Sequence, residues 1–128
     1  MPQDFDVSLE TLADDVVMLR VTGELDLGTS ARLREPLLQA SALHHGVVVD
    51  LIACEFLDST AIAVVIRAWQ ATNTVRPGRV YLVVAPGSQP EKVLEICGVP
   101  AEVPTFADAE EALGELRKKI EPPAATGD

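Results

Sequence analysis

Residues 58–60 place a carboxylate directly before two hydroxyls, Asp58-Ser59-Thr60. Such a triplet could be an activated nucleophile, or an N-cap that delivers two hydroxyls to the positive end of a helix. A nucleophile needs a base within hydrogen-bond reach. The histidines are His44 and His45, adjacent near the end of a helix, where the helix dipole favours solvated cations. They have no spaced partners and make a poor metal site. The segment from Gly23 to Gly28 carries Glu24 and Asp26 where a phosphate loop would need lysine and no acid. Asp26, Asp50 and Asp58 could converge at strand ends, where open α/β sheets bind ligands. Asp50 alone reads as a loop-ordering carboxylate, and Cys54 as a small buried or loop thiol. No cofactor, no metal and no catalytic residue are expected. What remains is a hydroxyl offered at a helix start. On residue types alone, Ser59 and Thr60 read as ordinary first-turn residues before they read as anything more.

The elements around the triplet give it a setting. Residues 47–51 are a β-branched apolar run after Gly46, the pattern of a buried strand. A short connection leads to Asp58 at a helix N-cap, so that Ser59 and Thr60 open the first turn. Ile62, Val65, Ile66 and Trp69 then recur at i, i+3, i+4 and i+7, one core-facing stripe. Ala63, Val64, Ala68 and Ala71 fall on the flanks of that helix, interleaved with Thr60 and Arg67.

Upstream, Phe5, Val7 and Leu9 alternate with polar residues as a half-wet strand does. A turn at Asp14-Asp15 joins it to a more buried strand over 16–21, an antiparallel hairpin. Residues 23–26 are expected to close that strand and enter a loop. Thr29 or Ser30 is expected to cap a helix using Ala31, Leu33, Leu37, Leu38 and Ala42, with Pro36 kinking or shortening it. Downstream, residues 80–84 form another buried strand. Ser88 caps a helix with Glu91 completing a capping box, Val93, Leu94 and Cys97 face inward, and Gly98 ends it. Residues 101–103 are the expected last strand. Asp108 with Glu111 starts a final helix that buries Ala109, Leu113, Leu116 and Ile120.

These elements define a single α/β domain over residues 4–120, a mostly parallel sheet of about five strands with an antiparallel edge and about four helices. Residues 121–128, where Pro122-Pro123 stop the helix, read as a disordered tail. The 128 residues are 48% hydrophobic and 23% charged, enough for a sizeable core. The formal net charge of −10 excludes nucleic acid and anionic membrane as natural partners, because both demand basic surface. No stretch reads as a signal peptide or membrane span, and Cys54 and Cys97 fit reduced thiols. A cytoplasmic protein is expected.

Gly23-Glu24-Leu25-Asp26, the strand ending in Asp50-Leu51, and Phe56-Leu57-Asp58-Ser59-Thr60 before an apolar helix together resemble the STAS-domain family. More narrowly, they are similar to the bacterial anti-sigma factor antagonists, over roughly residues 6–120. Where the family usually has Gly-Leu-Gly after the hydroxyls, this chain has Ala61-Ile62-Ala63, which raises helix propensity and adds methyls where a partner must approach. The resemblance implies that Ser59 is phosphorylated by an anti-sigma factor that is itself a kinase, with a serine phosphatase reversing it. The helix flank beside Ser59, with its small apolar residues next to charges, gives an expected partner surface of Glu24, Asp26, Asp58, Ser59, Thr60, Ala63, Val64 and Arg67. Two other readings stand beside it: a STAS docking subunit of a transporter or lipid-transport ATPase, used without phosphorylation, and a small nucleotide-binding α/β protein.

Overall fold

The computed structural model describes residues 4–120; the expected tail at 121–128 lies outside them. Strands β1 (Asp6–Ala13) and β2 (Val16–Leu25) form the antiparallel hairpin, with Leu9 opposite Leu19. The turn places Asp15 at φ 60°, a conformation that aspartate tolerates better than most residues. β2 is long enough to serve two parallel partners. Its first half, residues 16–20, pairs with β3 (Gly46–Asp50), and its second half, residues 23–25, pairs with β4 (Cys54–Leu57). Beyond β3 the sheet continues through β5 (Val80–Val83) and β6 (Thr105–Phe106), in the order β1-β2-β3-β5-β6.

The two faces of the sheet are covered unequally. Helices α1 (Leu27–Leu43), α2 (Ser59–Val75) and α3 (Gln89–Ile96) pack on one face, over Val17, Leu19, Val47, Val49 and Leu82. Helix α4 (Ala109–Ile120) covers the other, where Ala112 and Leu116 meet Met18, Val48 and Tyr81. β3 is therefore buried on both sides. Its run of valines without alternation is what a doubly covered parallel strand requires.

Several local expectations need correction. Gly23, Glu24 and Leu25 are strand, not loop, because the supposed connection at 54–57 is a fourth strand that extends the ladder. The last strand is Thr105–Phe106, whereas Val99–Ala101 is a 3-10 helix containing Pro100. Asp26, not Thr29 or Ser30, caps α1, and the helix runs unshortened through Pro36. Ala31 and Ala42 face solvent and Leu38 is half-buried, while Ser30, Ala40 and Ser41 are buried. Leu9 lies 59% exposed, and Cys97 is exposed. The Glu91 carboxylate accepts from Gly87 N–H rather than from the cap residue's own.

The inward face of α2 is also rotated from expectation. Ile62 is buried, but Val65, Ile66 and Trp69 are only partly so, and Ala61, Ala68 and Thr72 are the residues fully enclosed. α2 packs against α1 as well as the sheet, so its small residues sit at the helix–helix seam, where close approach demands them. Of the two alanines replacing the family glycines, Ala61 is inside and only Ala63 adds a methyl to the surface. Leu33→Ala, at 1% exposure, should cost about 2–5 kcal/mol of unfolding free energy. Trp69→Ala should cost less than Leu33→Ala in the same denaturant titration. A larger loss at Trp69 would mean that its ring is the inward anchor after all.

Candidate functional site

Leu25 at the end of β2 and Leu57 at the end of β4 are register partners, each 1% exposed. The residue after each is an aspartate, and each aspartate caps a helix. Two strand-to-helix junctions thus run side by side in the same direction, joined by Asp58 N–H donating to the Leu25 carbonyl at 2.9 Å. The starts of α1 and α2, with their partly positive ends, lie next to one another.

At the first junction the caps are reciprocal. Asp26 Oδ1 accepts from Thr29 N–H at 2.9 Å, and Thr29 Oγ1 accepts from Asp26 N–H at 2.9 Å. The Thr29 hydroxyl donates in turn to the Glu24 carbonyl at 2.9 Å, fixing the preceding strand residue. At the second junction Asp58 Oδ1 accepts both the N–H and the hydroxyl of Thr60, each at 2.9 Å. These two bonds, the backbone one first, hold the Asp58 carboxyl below the usual carboxylate range. The charged cap is therefore complete at and above that range and is lost only as pH falls beneath it.

The hydroxyls at 59 and 60 are thereby made different. Thr60 Oγ1 is committed to the cap. Ser59, the first residue of α2, is exposed, and its hydroxyl has no hydrogen-bond partner among the described residues.

A residue that sequence reasoning missed holds this junction from its other side. Gln89, the first residue of α3, accepts from Leu57 N–H through Oε1 at 2.8 Å and donates Nε2–H to the Leu57 carbonyl at 2.9 Å. Its carboxamide acts as one residue of strand laid along the outer edge of β4, satisfying the buried peptide groups just before Asp58. A glutamine at a helix start bears no sequence mark of a contact made 32 positions away.

The other candidates are placed as follows. Glu24 is exposed on β2 opposite Phe56, itself 41% exposed. Ala63 and Arg67 are exposed along α2 and Val64 is half-buried; Val64 and Arg67 line a shallow groove with Arg34 of α1, Ala68 and Ala71. Asp50 does not join the site. It is 6% exposed, ion-paired to Arg20 at 3.4 Å and bonded to Ile52 N–H at 2.9 Å, the loop-ordering role. His44 and His45 both meet the Asp15 carboxylate at the start of β2, the far end of that strand from Asp26. Cys54 is buried with Sγ against the Phe56 carbonyl, and burial pushes its thiol up, away from the thiolate a nucleophile needs. Among the described residues no three His, Cys, Asp or Glu side chains group as a metal would require, and no helix is long and apolar enough to cross a membrane.

The chain belongs to the STAS domain family, whose profile matches residues 10–112. Its fold is that of several solved structures. An anti-sigma factor antagonist from Mycobacterium paratuberculosis superposes with a TM-score of 0.75 at 20% identity, over 89% of this chain and 95% of that one. The anti-sigma factor antagonist SpoIIAA in its unphosphorylated form gives 0.70 at 23% identity, over 88% of this chain and 97% of that one. The Bacillus cell fate determinant SpoIIAA in its phosphorylated form gives 0.64 at 24% identity, over 88% of this chain and all (100%) of that one. No curated protein matches the chain.

Gln89→Ala would leave the two Leu57 backbone groups without partners. It should lower stability by about 1–3 kcal/mol and speed exchange of the Leu57 amide proton above all others. An unchanged Leu57 exchange rate would show that the strand end is held without the glutamine.

Proposed function

We propose that this protein is an anti-sigma factor antagonist, a non-catalytic binding protein of the cytoplasm that captures an anti-sigma factor and is switched off by phosphorylation of Ser59. The anti-sigma factor is itself the serine kinase, and a serine phosphatase restores binding. One observation carries the reading. Of the two hydroxyls at the start of α2, that of Ser59 is exposed and unengaged, next to the capped start of a second helix. Similarity in fold to anti-sigma factor antagonists, one of them known in both unphosphorylated and phosphorylated forms, supports it.

The chemistry of the switch follows from the setting. Phosphorylation adds about −1.5 to −2 charges and three strong acceptor oxygens. The start of α2 tolerates that charge, because the positive end of the helix dipole favours an anion, so the domain survives modification. A partner does not tolerate it so easily. Asp58, Asp26 and Glu24 already make this end of the molecule acidic, and a phosphate in their midst presents a docked surface with concentrated charge to desolvate. The flank of α2 below Ser59, with exposed Ala63 and Arg67 and half-buried Val64, supplies the mixed apolar and charged contact of a transient interface.

Purified kinase-type anti-sigma factors from the source genome, with ATP, should transfer one phosphate to Ser59 and none to Thr60. Ser59→Ala should refuse the phosphate and still bind, whereas Ser59→Asp should bind at least tenfold more weakly. Phosphate mapped to Thr60, or equal binding by the two variants, would sink the proposal. Binding without any transfer would make the protein a docking module instead.

A further inference from the structure

The charge of this molecule is divided in a way its composition does not announce. The sequence holds 20 acidic and 10 basic residues, so an arginine placed at random on its surface has ample choice of carboxylate. Yet α2 contains no aspartate or glutamate, and its one charged side chain is Arg67. α1 contains a single acid, Glu35, against Arg32 and Arg34. Arg32 is occupied: its guanidinium stacks 4.9 Å from the Phe5 ring centre and reaches the Phe5 carbonyl at 3.4 Å. Arg34 and Arg67 are both exposed, line the same α1–α2 groove, and have no ion pair or hydrogen bond among the described residues. The groove between them has an apolar floor of Val64, Ala68 and Ala71.

Two like charges facing one groove repel, and in a chain of net charge −10 nothing in the composition forces them together unpaired. An arginine fork matches a carboxylate in two parallel hydrogen bonds, and the pairing gains strength when an interface excludes water. We infer that the α1–α2 groove is the part of the partner surface that receives an acidic segment: apolar side chains of the anti-sigma factor on Val64 and Ala71, with carboxylates reaching Arg34 and Arg67. This inference rests on the proposed function, and it assigns the bound face two opposite poles. The end around Ser59 is acidic and the groove beside α2 is basic, so a partner fits in one orientation only. Arg34 becomes a specificity residue although it lies on a different helix from Ser59.

The test uses the full chain and the anti-sigma factor that phosphorylates Ser59. Affinity is measured for the wild type and for Arg34→Glu, Arg67→Glu, both lysine counterparts, and Lys118→Glu on the opposite face of the sheet as a control for net charge. Circular dichroism checks that each variant is folded. Each glutamate variant should bind at least tenfold more weakly, the lysine variants should fall between these and wild type because lysine keeps the charge but not the fork, and Lys118→Glu should not change. Wild-type affinity in the glutamate variants would overturn the inference while leaving the Ser59 switch intact. Equal weakening by Lys118→Glu would also overturn it, since the effect would then belong to total charge. If no kinase-type anti-sigma factor binds the wild type, the proposed function itself falls and this inference with it.

Discussion

The parallel pairing of Leu25 with Leu57 is the contact on which the rest of this site depends. Both side chains are fully buried, so the ends of β2 and β4 are pinned to the core beneath α1 and α2. Because the next residue in each strand is a capping aspartate, pinning the leucines also fixes where two helices begin. A slip of one residue between these strands would turn Leu25 outward and Glu24 into the core, a cost that enforces the register. Ser59 owes its position to this arrangement rather than to any contact of its own.

Around that pin, polar groups are satisfied from three directions. Asp58 N–H reaches the Leu25 carbonyl, Gln89 closes the outer edge of Leu57, and Thr60 gives both its protons to Asp58. What is left over is one serine hydroxyl in solvent. A junction so fully bonded can accept a large local change of charge without rearranging, because few of its own bonds involve the residue that changes. This separates the fold's stability from the chemistry of the Ser59 side chain.

Much of this was legible in the sequence, and the failures have physical causes. The strand expected over 47–51 and found at 46–50, the cap at Asp58 and the first turn at Ser59 were visible because a β-branched run and a capping residue are local signals. β4 was not, since four residues with a Glu-Phe interior show neither alternation nor a continuous apolar run. Missing it also made Gly23, Glu24 and Leu25 look like loop, for their strand character exists only through pairing with β4. Asp26 was singled out for its charge but not as a cap, as Thr29 and Ser30 are equally good capping residues and the choice between them is made in three dimensions. The stripe Ile62, Val65, Ile66 and Trp69 suits a helix that faces a sheet alone. The second neighbour, α1, moved Ala61 and Ala68 inward and let Trp69 reach the margin. Gln89 and Arg34 depend wholly on tertiary placement, and no spacing rule would have joined them to Ser59.

The central claim is that the proposed phosphorylation of Ser59 acts by adding charge to a preformed junction and not by refolding it. Backbone amide chemical shifts of the unmodified and Ser59-phosphorylated protein, compared residue by residue, test this most directly. The account predicts changes confined to residues 24–29, 57–63 and 88–91, with the sheet and the far end of α2 unmoved. Shifts spread through β3, β5 and the end of α2 at Val75 would contradict it, and would place the switch in a rearrangement of the fold.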